Sequence, residues 1–445
     1  MEKNGLSEKH ANGIFSSKFG FVVACVGSAV GLGNIWLFPY RLGQYGGAAF
    51  LIPYLLFVLL FGYVGLPAEF GIGRMARTGT LGAYEVCWKH TKGWKFGKAV
   101  RWIPLIGSLG IATGYAIIIG WVLRYLAGSA TGAMFRNTSP VYFAQATENF
   151  GSIGWHAAVL GITLLILFTN SVSRIEKVSK VMMPVFFLLF AFLAVWVLFL
   201  PGAAKGYRFL FIPKWEALAR VDTWVMAMGQ AFFSLSITGS GMIVYGAYLE
   251  RKEDIVHASL QTALFDTLAA LLAALAIMPA VFSFGIQPSA GPSLMFLAIP
   301  DIFRRLAPGR ILACIFFFSV LLAGITSLIN MFEAVIESLQ HRLKMSRKAA
   351  VLLSVLLSFS IGIFLENAQT VGDFMDFITI LVVPFGAVFG AVSIYYVLGK
   401  NKIEEELNCG RKKGLPKLYS VTARYLYVPL TILIFILGIV YKGIG

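Results

Sequence analysis

Charge is scarce in this chain. Asp, Glu, Lys and Arg make up 13% of 445 residues, about half the roughly 25% of a soluble globular chain. That is too little to cover a water-facing surface. Acids are the scarcer sign, 21 against 37 Lys and Arg. Cysteine is rare as well. Cys25, Cys87, Cys314 and Cys409 are scattered at spacings that suit neither a disulfide framework nor a metal site. The signatures H-E-x-x-H and G-x-S-x-G do not occur, and the acids inside apolar stretches stand apart rather than paired, so nothing indicates an enzyme.

Apolar residues are abundant, at 58% of the chain with a mean hydropathy of +0.78. They form runs near the ~20 residues a spanning helix needs, among them Leu51 to Leu66, Phe186 to Leu200 and Tyr425 to Val440. Hydropathy predicts eleven spans, near residues 19–43, 48–73, 104–127, 154–170, 178–200, 222–250, 257–286, 309–340, 349–366, 372–398 and 421–442. The first run follows a polar start with Lys3, Lys9 and Lys18. It is too long for a signal peptide, and it reads as the first helix. The net charge of +16 gathers between spans, at Arg74 to Arg101, Arg174 to Lys180, Arg342 to Lys348 and Lys400 to Arg424. Basic alternate loops mark cytoplasmic faces, which argues against a nucleic-acid partner. The expected molecule is a multi-pass protein of the cell membrane, its N-terminus cytoplasmic and its C-terminus extracellular.

Two spans look unlike simple helices. The first holds Gly27-Ser28-Ala29-Val30-Gly31-Leu32-Gly33-Asn34, then Pro39; the sixth holds Ser234-Leu235-Ser236-Ile237-Thr238-Gly239-Ser240-Gly241. Glycine weakens a helix by about 1 kcal/mol relative to alanine. Small residues also serve close helix packing, but here the clusters fall at matching positions of two five-span units, the sequence pointer to a transporter's binding site. Backbone broken at mid-membrane needs partners, since lipid offers none. Freed carbonyls suit sodium, and half-helix N-termini suit a carboxylate. Asn34, Ser234 and Ser236 supply further oxygens. Asp266, an acid within span seven, reads as an ion ligand. Glu69 reads as structural, paired with nearby Arg74. Ala323 to Ser327 offers hydroxyls and a carbonyl, although Ser and Thr often bond back to their own helix.

Gly31-Leu32-Gly33-Asn34-Ile35-Trp36, Phe38-Pro39-Tyr40 and Gly46 to Phe50 resemble the neurotransmitter:sodium symporter family. The resemblance continues through Gln230 to Ser236, Ala323 to Ser327 and Ser346-Arg347-Lys348. It covers spans one to ten, and the eleven-span count is similar to the bacterial amino-acid transporters of the family. The resemblance implies an all-α leucine-transporter fold of two inverted five-helix repeats plus one extra helix. The organisation would be a cytoplasmic segment 1–18, repeats at 19–200 and 201–398, and a loop with the last span at 399–445. It implies one sodium site at the Ala29 carbonyl, Asn34, Ser234 and Asp266, completed by the substrate carboxylate. A second would use carbonyls of Gly27, Val30 and Ala323 with the hydroxyls of Thr326 and Ser327. The substrate carboxylate would meet the amides of Leu32 and Gly33 and the Tyr115 hydroxyl, and its ammonium the carbonyls of Ala29, Phe233 and Ser234. Ile111, Tyr115, Phe233, Ser236, Gly239, Ser327 and Met331 would line the side-chain pocket, with Tyr115 and Phe233 as lid.

Departures from the family pattern refine this. Tyr54, Gln230 and Ser234 match the family's chloride site, but Ala270 replaces its second serine. The carboxylate of Asp266 would supply that charge, so no chloride requirement is expected. The extracellular arginine gate position is Leu37, its acidic partner remains as Asp376, and Arg41 is a candidate substitute. Asn12 and His341 replace the inner Arg–Asp latch, and span five keeps Pro184 but carries Arg174 where a glycine is usual. Gly239 stands where a large side chain is usual and would leave room for an aromatic ring. The expected activity is sodium-coupled symport of a neutral hydrophobic or aromatic L-amino acid into the cell by alternating access, with two sodium sites. The alternatives are a proton-coupled carrier and a non-transporting amino-acid sensor on the same scaffold.

Overall fold

The computed structural model describes residues 13–168, 172–286 and 294–443. All regular structure among them is helical. The spans are 1, Lys18–Ala29 continued by Gly33–Gln44; 2, Ala48–Ala76; 3, Trp102–Thr131; 4, Ile153–Phe168; and 5, Val172–Val197. Span 6 is Val221–Ser234 continued by Gly241–Ala247, and span 7 is Ile255–Ser283. Span 8 is Gly309–Leu343, span 9 Arg347–Gly362, span 10 lies within Ala368–Asn408, and span 11 is Leu418–Val440. Among the described residues, eight of these, with the bent span 1 as one, are long and apolar enough to cross a membrane; spans 4, 6 and 9 are shorter helical segments at the remaining predicted positions. Five is odd, so span 6 enters from the face opposite to span 1, and the second set of five runs inverted to the first. This is the leucinetransporter-type arrangement of two inverted repeats with span 11 added outside.

Helix ends depart from hydropathy where caps, rather than apolar content, set them. Span 5 begins at Val172, six residues before the predicted start, and takes in Arg174, Glu176 and Lys180. Ser346 caps span 9 by accepting the Ala349 N–H at 3.3 Å, and Asn367 caps span 10 by accepting the Gln369 N–H at 2.9 Å. Span 5 runs through Pro184 without a break. Between spans, Thr80–Trp88, Ser139–Thr147 and Ala203–Phe211 fold as short helices that hydropathy read as loops.

Both predicted interruptions are present. The halves of span 1 meet at 58°, where Val30 turns extended (φ −71°, ψ 114°). A side chain at Gly31 would run into the Tyr115 hydroxyl and lie 2.9 Å from Ser327 Oγ, so only glycine lets span 1 approach spans 3 and 8 there. Span 6 stops at Ser234 and resumes at Gly241, with Ser236 and Gly239 in left-handed backbone (φ +54° and +72°). Apolar side chains such as Leu59, Leu188 and Ile436 stay exposed on the outside of the bundle, as a lipid-facing surface requires.

The expected Glu69–Arg74 pair does not form. Glu69 accepts the Gly239 N–H at 2.7 Å, so its carboxylate caps the break in span 6. Arg74 instead meets Glu406 at 2.5 Å, both side chains buried, and donates to the Glu253 carbonyl at 2.7 Å. Five residues separate Glu69 from Arg74 along the helix, which puts them on different faces. Arg74 thereby joins the end of span 2 to the loop after span 6 and the extension of span 10. Removing one partner of a buried pair leaves the other charge uncompensated, so Glu406→Ala is expected to cost about 3–5 kcal/mol, read as a fall in the thermal unfolding midpoint in detergent. A change within error of wild type contradicts the assignment.

Candidate functional site

A cavity of about 410 Å³ opens beside the two breaks. Spans 1, 3, 6, 8 and 10 line it, together with Phe143 of the short helix Ser139–Thr147 and Phe296 from the segment between spans 7 and 8. It reaches from the breaks to Ala368, Val371 and Asp376 near the start of span 10, that is, toward the face opposite the N-terminus. Ala29, Leu32, Gly33, Ile111, Tyr115, Phe233, Ser234, Ser236, Ser327 and Met331 all line it, as expected from the sequence.

Gly239 does not. It faces span 10 and the loop helix Thr80–Trp88, where a Cβ would stand 2.5 Å from the Gly386 carbonyl oxygen and 2.8 Å from the Tyr84 hydroxyl. The neighbouring Thr238 lines the cavity instead. The left-handed turn at Gly239 rotates the chain away from the pocket, which a helical register read from sequence does not anticipate. The vacant space expected there is already occupied by span 10.

Three of the four residues expected at the first ion site, Asn34, Ser234 and Asp266, contact one another; Ala29 lines the cavity. Asn34 Nδ2 donates to Ser234 Oγ at 3.1 Å, to Asp266 Oδ1 at 2.8 Å and to the Asp266 carbonyl at 3.1 Å, and Ser234 Oγ donates to Asp266 Oδ2 at 2.6 Å. Three chain-distant residues from spans 1, 6 and 7 thus converge in a wholly buried cluster behind the cavity wall. The Asn34 amide nitrogen carries partial positive charge into this nest of oxygens. Half a turn of the amide would present its oxygen there in place of the nitrogen.

The second group is assembled as well. Ser327 Oγ faces the carbonyls of Val30 and Ala323 at 3.1 Å each and of Gly27 at 3.4 Å. Thr326 Oγ1 donates to the Ala323 carbonyl at 2.9 Å. A serine hydroxyl has one proton, so it serves one of these three carbonyls at a time. An excess of oxygen acceptors over donors is what a hard cation uses.

Between the two groups, Tyr115 Oη accepts the Leu32 N–H at 2.8 Å. The expected carboxylate contacts are therefore coupled: an anion at Leu32 has to share that N–H with Tyr115.

The gate expectations fare unevenly. Leu37 and Asp376 both line the cavity on the side away from the N-terminus. Arg41 does not; it is buried and donates to the Met226 carbonyl at 3.2 Å, so it is no substitute for the outer arginine. Asn12 lies outside the described residues, and His341 sits in the last turn of span 8. Sequence reasoning missed the aromatic roof. Phe296 stacks on Phe143 at 5.6 Å and meets Trp36 and Trp121 edge-on at 6.2 and 5.9 Å. These residues come from four separate segments, two of them read as loop, so no local pattern joins them.

The sequence profile of the Sodium:neurotransmitter symporter family matches residues 12–139 and 132–443. The chain belongs to this family. Symporter relatives are similar over nearly the full length. The uncharacterized sodium-dependent transporter YhdH of Bacillus subtilis is 34% identical across 96% of this chain and 97% of its own. An uncharacterized sodium-dependent transporter of Methanocaldococcus jannaschii is 30% identical across 88% of this chain and 84% of its own. Among solved structures, the crystal structure of MhsT in complex with L-phenylalanine superposes with a TM-score of 0.85 at 29% identity, covering 96% of this chain and 99% of that one. This symporter is accordingly a sodium-dependent, multi-pass membrane transporter, not an enzyme.

Gly239→Ala is expected to depress uptake of every substrate by a common factor and leave their order of preference unchanged, because the added methyl strains the turn without entering the pocket. A competition series against one labelled substrate checks this. A reordered series returns Gly239 to the pocket wall.

Proposed function

We propose that this symporter carries a neutral, hydrophobic or aromatic L-amino acid into the cell together with two sodium ions, by alternating access. One observation carries the reading: two separate clusters of buried oxygens adjoin a single cavity at the point where spans 1 and 6 break. The Asn34–Ser234–Asp266 cluster is the first ion site, and the Gly27, Val30, Ala323, Thr326 and Ser327 oxygens are the second. The substrate carboxylate shares the first site with its ion, which makes each a condition for the other. Tyr115 and the amides of Leu32 and Gly33 hold that carboxylate, and the carbonyls of Ala29, Phe233 and Ser234 face the ammonium.

Among the described residues, Asp376 is the one charged side chain lining the cavity, and it stands at the outer end. Ile111, Tyr115, Phe233 and Met331 leave an apolar chamber for the substrate side chain. MhsT, similar in fold and length, holds L-phenylalanine, which favours an aromatic or large aliphatic substrate here.

The basic loops put the N-terminus in the cytoplasm, and the cavity then faces outward. Residues 19–200 and 201–398 act as the two repeats, which rock against one another around the site. Two sodium ions with a zwitterion gain about 4.6 kcal/mol per ~100 mV, enough for roughly a thousandfold accumulation. Asp266 Oδ2 lies 2.6 Å from Ser234 Oγ, so a carboxylate already supplies negative charge beside Tyr54 and Gln230. Transport consequently needs no chloride.

Uptake of labelled amino acids into proteoliposomes under an inward sodium gradient tests the reading. Phenylalanine, tryptophan, tyrosine or leucine is expected to accumulate, and replacing chloride by gluconate to change nothing. Asp266→Asn is expected to raise the half-saturating sodium concentration about ten- to a hundredfold. Uptake driven by protons without sodium, a steep chloride requirement, or sodium-dependent binding with no counterflow each defeats it.

A further inference from the structure

The loop helix Thr80–Trp88 between spans 2 and 3 is fastened to three spans. On span 8, Glu337 accepts the Thr78 hydroxyl at 2.8 Å and the Gly79 N–H at 2.6 Å. On span 10, the rings of Tyr84 and Trp88 pack against Phe389 at 4.8 and 5.8 Å, and Trp88 Nε1 donates to Ser393 Oγ at 2.8 Å. At the start of span 3, Arg101 donates to the Leu81 carbonyl and the Glu85 carboxylate, each at 3.0 Å.

The same helix reaches the break in span 6. Thr80 and Tyr84 stand four residues apart, hence on one face. Thr80 Oγ1 lies 2.9 Å from Ser240 Oγ, and the Tyr84 hydroxyl donates to the Gly239 carbonyl at 2.7 Å. All of these side chains are buried. A Cβ at either Gly239 or Gly390 would stand 2.8 Å from the Tyr84 hydroxyl, so two glycines from different spans keep open the slot it fills. Beyond this turn hangs the short second half of span 6, Gly241–Ala247, whose Gly241 carbonyl accepts Asn330 Nδ2 of span 8 at 3.1 Å.

We propose that the loop helix is a clasp: Thr80 and Tyr84 hold the 239–240 turn to spans 3, 8 and 10 while the cavity faces away from the N-terminus, and release it when the second half of span 6 swings to open the other face. Thr80 and Tyr84 are positioning residues. They do not line the cavity, and they act through the turn that presents Ser236 and Thr238 to it. The proposal rests on the alternating-access reading, and its test is read without transport.

Cys25 is wholly buried in the first half of span 1, against which the second half of span 6 packs. In a parent with Cys87, Cys314 and Cys409 replaced by alanine, the rate at which a membrane-permeant maleimide alkylates Cys25 reports opening on the N-terminal side. Tyr84→Phe keeps the ring on Phe389 and deletes only the hydrogen bond. It is expected to speed labelling about three- to tenfold, the scale of one neutral buried hydrogen bond. Thr80→Val is expected to do likewise and the double variant to exceed both, with the unfolding midpoint held within a few degrees. In uptake, the maximal rate is expected to fall more than the half-saturating concentration moves. Unchanged Cys25 labelling in both single variants, or faster labelling only together with a large fall in unfolding midpoint, overturns the clasp. Absence of sodium-driven uptake by the parent chain overturns the proposed function instead, and leaves the labelling result standing.

Discussion

Lipid supplies no hydrogen-bond partner to a peptide group, so every break in a spanning helix has to be answered from within the protein. Two breaks at mid-membrane set the terms for most of what surrounds them here. Glu69 and Tyr84 take the N–H and the carbonyl of Gly239, Tyr115 takes the N–H of Leu32, and Ser327 turns toward the carbonyls of Gly27, Val30 and Ala323. Each answering side chain comes from a different helix. The breaks therefore organise the packing of spans 2, 3 and 8 and of the loop helix between spans 2 and 3, and the cavity is the space left between them.

Some of these answers are complete and some are not. The Gly239 N–H and carbonyl are both taken, by Glu69 and Tyr84, while the second carboxylate oxygen of Glu69 is buried without a partner among the described residues. Around Ser327 three backbone carbonyls face one hydroxyl proton, whereas each carboxylate oxygen of Asp266 accepts a hydrogen bond, from Asn34 or from Ser234.

Polar contacts on the N-terminal face form a second layer. Arg74 with Glu406, Glu337 with Thr78 and Gly79, and Ser16 with Glu176, which accepts its N–H at 2.8 Å, tie loops to span ends.

The sequence alone decided the class, the two interrupted helices and ten of the residues that line the cavity. Apolar run length is a local property fixed by bilayer thickness, and glycine clusters register directly as helix weakness. Spans 1, 6 and 7 bring Asn34, Ser234 and Asp266 into one cluster, and spans 3 and 8 bring Tyr115 to Leu32 and Ser327 to Val30. Tertiary structure decided the rest. Gly239 faces span 10 because a left-handed turn redirects the chain, Glu69 caps a break instead of pairing with Arg74, Arg41 turns away from the outer gate, and Phe296 roofs the cavity from a loop. In each case the deciding partner lies more than a hundred residues away in the chain. Periodicity and hydropathy describe how a helix meets lipid; which side chain meets which across the bundle depends on how the helices are set against one another.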